Sequence, residues 1–392
     1  LAAFMEEKNI RWGELLGGML IIGCSLALVI SLWAQIEQIP LLKFFIFTAM
    51  TGAFAGLGFY SEHRWKLPNT SRGLLITATM LVPLNFLAIA AFARDIAAND
   101  PIVIASEIIS LALFVVMVFR AGKVVTPDWA HWLTIGTVGT AATQLILRRF
   151  VGVDTATVAL CLSASLPVAC YSTAVLGMVR TIRSAENIDA KRVNQSFTLL
   201  SASSFAVLVA VGLLLFKTQA FVGTLQRIAP MISLLAIPAL CAGLVLWQRS
   251  KTVQPQYLNL ISASVGVFSA FVMVGSLAFA WPNAMNLMIV ALINFVALTA
   301  VAFLFHLSIA HAVALPCLAL AYLLGVNLAF GRIAAATDSR TLFTALLSIT
   351  SGTALAIFFV PSMLSTELLY KRERKADGFF YALVTAAIAA VS

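Results

Sequence analysis

Long apolar blocks run the length of this chain, separated by short clusters of charge and proline. A helix crossing a bilayer needs roughly 20 mostly apolar residues at 1.5 Å rise each. The pattern predicts such helices at 14–35, 41–60, 72–93, 101–119, 129–147, 157–179, 197–216, 229–247 and 257–280. Residues 286–330 form one run of 45, interrupted only by His306 and His311. As one helix that run would measure roughly 67 Å, against a hydrocarbon core of about 30 Å. It must therefore fold as two antiparallel spans with a turn near the histidines. A twelfth span is expected at 341–364, and 378–392 reads as the start of a thirteenth. The sequence opens without Met and stops inside an apolar run, as expected of a piece of a longer protein.

Composition agrees. Apolar residues make up 61% of the 392 and charged residues 10%, with a mean hydropathy of +1.00. Soluble domains carry about 25% charged residues. The expected fold is an all-α polytopic bundle of about thirteen spans. No linker or low-complexity tract divides it, so 1–392 reads as one transmembrane region behind a short lead segment, 1–13. Glu6, Glu7, Lys8 and Arg11 precede a full-length span with no small-residue cleavage site, unlike a cleavable signal peptide.

The basic residues give an orientation. Of the 25 Lys and Arg, 17 fall in loops on the N-terminal side and 8 in the opposite loops. The positive-inside rule places the N-terminal side in the cytoplasm, as for a multi-pass protein of a bacterial inner membrane. The net charge of +9 is then mostly a topology signal, and no nucleic-acid partner is needed to explain it. The bilayer itself is the expected partner, and protein partners are not identified. Two internal loops concentrate the charge, one with Arg180, Arg183, Lys191 and Arg192, the other with Lys371, Arg372, Arg374 and Lys375. Contact with anionic headgroups and plain topology determination explain them equally well.

Chemistry is sparse. The five cysteines lie in apolar blocks without CxxC spacing, as packing residues do. There is no GxxxxGK[ST] loop, and the connecting loops are too short to build a catalytic site. The reading is no enzyme, no cofactor and no metal. His306 and His311 are five apart, on different helix faces, which disfavours shared metal ligation.

Glu107 is the one carboxylate well inside a span. At that depth it must be protonated, paired or reached by water. It is either a proton or cation site or a neutral carboxyl bonded to a neighbouring helix. Asn85, Gln144, Asn294 and Asn327 are buried polar candidates, each more often an interhelical hydrogen bond than a ligand contact. Asn85 and Asn294 join Glu107 as candidates for a substrate or ion pathway. Depth places both Asn85 and Glu107 roughly 4–5 Å outward of the midplane. The two are expected to face each other or to share a polar pocket, with Glu107 neutral. Small-residue motifs at Gly13/Gly17, Gly52/Gly56 and Gly136/Gly139 point to close helix crossings. Prolines 83, 167, 230, 238, 316 and 361 fall inside or near spans, where they free carbonyls.

The segment Glu7-Lys-Asn-Ile-Arg-Trp-Gly-Glu-Leu-Leu-Gly-Gly18 leads into a Gly-rich span ending at Trp33. With Gly58-Phe-Tyr-Ser-Glu-His-Arg-Trp-Lys-Leu-Pro68 and Thr70-Ser-Arg-Gly-Leu-Leu75, it resembles the opening of large bacterial polytopic "predicted membrane protein" families of unknown function. The likeness covers roughly the first 95 residues and carries over no catalytic residue. An integral membrane protein of unknown activity is the expectation. A secondary transporter or lipid flippase is one rival, and a scaffold for partners outside the segment is another.

Overall fold

The computed structural model describes residues 40–92, 101–152, 155–185, 188–218, 220–251, 256–336 and 338–391, with isolated positions between 17 and 27. The lead segment, most of the first expected span and the 93–100 connection lie outside these residues. Everything described is helix or connection, with no strand among the described residues. Nine of the described helices are long and apolar enough to cross a membrane. This is an all-α multi-pass membrane protein.

The described residues fall into two compact units. The first contains α1 (Pro40–His63), α2 (Pro68–Phe92) and α3 (Pro101–Val125). A 3-10 turn, Pro127–Trp129, then leads into α4 (130–150). The unit closes with α5 (Thr157–Ser184) and α6 (Ala190–Thr218). α4 is continuous through Ala130–Thr134, a π-helical turn at Ile135–Gly139, and Thr140–Phe150. α2 is its most enclosed helix, packed against α1, α3, α4 and α6. α3 instead buries one stripe (Glu107, Ser110, Phe114, Val118, Ala121, Val125) and exposes Ile108, Ile109, Leu113 and Val116. Large apolar residues left outside at this density need a nonpolar solvent, which the bilayer supplies.

The second unit is α7 (Phe221–Ser250, to residue 248), α8 (Tyr257–Ala280, from residue 259), α9 (Ala284–Phe305), α10 (His311–Ala329), α11 (Ser339–Leu346), α12 (Ile349–Lys371) and α13 (Lys375–Val391). Its core is layered from Ala236, Leu240 and Met273 against Leu298 and Val301 in one cluster, and from Ala291, Cys317 and Ala321 in another. The long apolar run breaks where its length demands. α9 ends at Phe305, His306 takes a left-handed conformation with φ 55°, and Ser308–Ala310 form a 3-10 turn into α10. α9 and α10 then pack along each other.

The expected span at 341–364 is corrected. The chain forms the short α11 first, breaks at Leu347–Ser348, and crosses as Ile349–Lys371. Local capping causes the shift: Asp338 accepts from the amides of Arg340 and Thr341, and Ser348 accepts from the Ser351 amide.

The helices continue through the in-span prolines, but the expected glycine crossings largely move elsewhere. Among the described residues, a methyl group added at Gly17, Gly52 or Gly56 would meet nothing within 4 Å, so Gly52 and Gly56 are not close crossings; Gly13 lies outside the described residues. Gly136 does lie tight against Ser203 and Ala174, and Gly177 against the Trp132 ring. Among the described glycines, the tightest approach to another helix's backbone is Gly243 of α7 on Gly266 of α8.

Candidate functional site

Glu107 sits in the second turn of α3 on its buried stripe, 4% exposed between outward-facing neighbours. Its two carboxylate oxygens are held separately. Arg148 Nη1 donates to Oε1 at 2.9 Å and Arg149 Nη2 to Oε2 at 2.7 Å. Both arginines come from the last turn of α4, where cations also complement the helix dipole. The Arg148 side chain is 3% exposed and that of Arg149 35%. Lys217, at the end of α6, donates to the Arg148 carbonyl at 3.3 Å. One carboxylate and three cations thus join the ends of three helices.

Asn85 and Glu107 do not hydrogen-bond to each other: Glu107 is held by Arg148 and Arg149, and Asn85 has other partners. Asn85 Nδ2 donates to Thr51 Oγ1 at 2.7 Å and to the Leu81 carbonyl at 2.9 Å. Thr48 Oγ1 donates to Asn85 Oδ1 at 3.3 Å. Two threonines near one another on α1 offer an amide both the donor and the acceptor it needs, whereas a buried carboxylate needs opposite charge. Arg148 and Arg149 could have been found from sequence. By the charge-derived topology the fourth span starts, and the fifth ends, on the outer side, so a basic pair lies within side-chain reach of Glu107.

The other buried amides also join helices. Asn294, with no exposure, accepts from Ser233 Oγ at 2.6 Å and donates to the Met273 carbonyl at 2.7 Å, linking α7, α8 and α9. Asn327 donates to Ser351 Oγ at 3.2 Å and Gln144 to the Pro83 carbonyl at 3.2 Å. Glu107 and Asn85 thus lie in the first unit with different partners, and Asn294 lies in the second unit with its own.

Sequence reasoning missed a second buried charge group. Asp377, 3% exposed at the start of α13, receives Arg374 Nε at 2.6 Å. His311 Nε2 lies 3.5 Å from its other oxygen, a contact of polar groups without hydrogen-bond alignment. The His311 ring is wholly buried, edge-on to Phe303 and Tyr381, and Arg374 lies 4.4 Å from the centre of the Phe303 ring. His306 is exposed, so the two histidines diverge. Among the described residues no group of three or more His, Cys, Asp or Glu side chains is placed to hold a metal ion.

The basic residues expected at headgroups divide. Arg374 turns inward, because Asp377 and Phe303 offer it charge and a ring face. Arg192 lies 3.4 Å from Asp128, and Lys371 pairs with Glu367 at 2.6 Å. Arg180, Arg183, Lys191, Arg372 and Lys375 are exposed.

Comparison of the chain with protein-family models, with curated proteins and with solved structures finds no match.

Proposed function

We propose that this is a non-enzymatic membrane scaffold, a multi-pass protein of about thirteen spans in a bacterial inner membrane with its N-terminal side in the cytoplasm. One observation carries the reading. The groups that could have lined a path are committed to holding helices together: Glu107 to two arginines, Asn85 to α1, and Asn294 to α7 and α8. A carboxylate with both oxygens in charge-assisted bonds is tied to its two partners more strongly than by neutral hydrogen bonds. The resemblance of the first 95 residues to bacterial polytopic families fits the same assignment.

A carrier is the second reading, favoured by the π turn in α4, a feature frequent at functional sites. Just beyond it the buried Thr140 hydroxyl and Gln144 Oε1 have no hydrogen-bond partner.

Single cysteines in vesicles of known orientation, with the five native cysteines replaced, separate the two. In the scaffold, Ser110→Cys, Thr143→Cys and Ser233→Cys stay unreactive to an impermeant maleimide from both sides. Reaction at any of them from either face establishes a water path and favours the carrier. Ser184→Cys and Lys375→Cys should react only from the cytoplasm, and Ala220→Cys only from outside. Thr218 lies next to Ala220 but is buried and unsuited as a probe. The reverse pattern overturns the orientation.

A further inference from the structure

A cavity of about 350 Å³ opens where the first turns of α2 and α6 meet the end of α3. Arg72 and Lys191 stand at it, and neither has an acidic partner among the described residues. Its apolar wall is Ile76 and Val125. Between the two kinds of surface lies Gln195, 4% exposed, whose Oε1 is buried without a hydrogen-bond partner. Leaving such a group unsatisfied is costly, so its presence here calls for a donor from outside the chain.

Each feature specifies part of a ligand. The two cations, Arg72 and Lys191, call for an anion. Gln195 Oε1, unpartnered beside the Asn194 and Thr198 side chains that also line the cavity, calls for a hydroxyl close to that anion. The apolar wall calls for a hydrocarbon portion. In the topology proposed above this end of the helices faces the cytoplasm, at headgroup depth, where basic pockets between helices bind phospholipids. The neighbouring Arg192 is engaged with Asp128, which leaves Arg72 and Lys191 as the charge at this cavity.

We propose that this cavity binds a phosphate ester carrying a free hydroxyl, the phosphate between Arg72 and Lys191 and the hydroxyl donating to Gln195 Oε1. An anionic glycerol-headed phospholipid and a soluble glycerol phosphate share that chemistry. The site is independent of the scaffold reading, since either a scaffold or a carrier can hold it.

The test uses the full chain in nanodiscs containing phosphatidylglycerol, phosphatidic acid and phosphatidylcholine, with co-purified lipid counted by native mass spectrometry. Wild type should retain phosphatidylglycerol preferentially. Arg72→Gln and Lys191→Gln should each reduce that retention about fivefold, from about 1 kcal/mol per surface cation. Gln195→Leu should remove the preference for phosphatidylglycerol over phosphatidic acid, which lacks the headgroup glycerol, while leaving phosphate retention. Arg180→Gln, an exposed cation away from the cavity, should change nothing. Displacement of the lipid by millimolar glycerol 3-phosphate assigns the site to the soluble ester, and failure to displace assigns it to the lipid. The proposal is overturned if the cavity variants, folded by circular dichroism, retain phosphatidylglycerol like wild type. It is equally overturned if Arg180→Gln lowers retention as much as they do, since loop charge alone would then be responsible. The maleimide pattern reads the scaffold assignment separately, so either can fail alone.

Discussion

Replacing Glu107 with Gln keeps the shape of the side chain and removes only its charge. An isolated neutral carboxyl would barely register the change, and the sequence alone suggested that outcome. The structure reverses it. Arg148, with its side chain 3% exposed, would keep a buried guanidinium without its counter-charge. Removing one partner of a buried pair costs about 3–5 kcal/mol. Arg149, 35% exposed, offers the control. Arg149→Gln leaves the Glu107–Arg148 pair intact and removes a screened interaction, of about 0–1 kcal/mol. The gap of about 3 kcal/mol between the two variants corresponds to more than a hundredfold in the unfolding equilibrium. Denaturant titration of the purified protein in detergent micelles, followed by far-ultraviolet circular dichroism, resolves it. A paired replacement, Glu107→Leu with Arg148→Met, takes both charges out together and should recover most of the loss, because well-packed apolar residues often match a buried ion pair. Equal losses in Glu107→Gln and Arg149→Gln would refute the reasoning. So would a double variant less stable than Glu107→Gln.

Two further outcomes test how the second unit packs. A methyl in Gly243→Ala would lie 2.8 Å from Gly266 Cα, backbone that cannot swing aside, so the variant should lose about 1–3 kcal/mol in the same titration. Gly275→Ala, which meets nothing within 4 Å, should be neutral or gain up to about 1 kcal/mol, and the opposite order would show that α7 and α8 do not cross there. Asn294→Leu removes bonds to Ser233 and Met273, and Ser233→Ala only one of them. At about 0.6 kcal/mol on average for each such bond, Asn294→Leu should cost more than Ser233→Ala, and equal costs would mean that the Met273 bond contributes nothing.

What the sequence determined by itself is set by transfer free energy along the chain. Hydropathy is a property of each residue summed over a local window, so the helical class and the membrane setting follow from it directly. The break between His306 and His311 was legible for the same reason, since a 45-residue helix does not fit a bilayer. The start of α12 was less so, because it depends on two capping side chains, Asp338 and Ser348. Which helix faces meet was decided only in three dimensions. In lipid the outward and inward faces of a span are both apolar, so the stripe that marks a buried face in water is faint. Gly52 and Gly56 carry the spacing of a close crossing and have open surroundings, while Gly243 and Gly266 touch without a motif to announce them. Depth brought Asn85 level with Glu107, but charge decided the pairing. A buried carboxylate is stabilised far more by a guanidinium than by an amide, and the end of α4 supplied two.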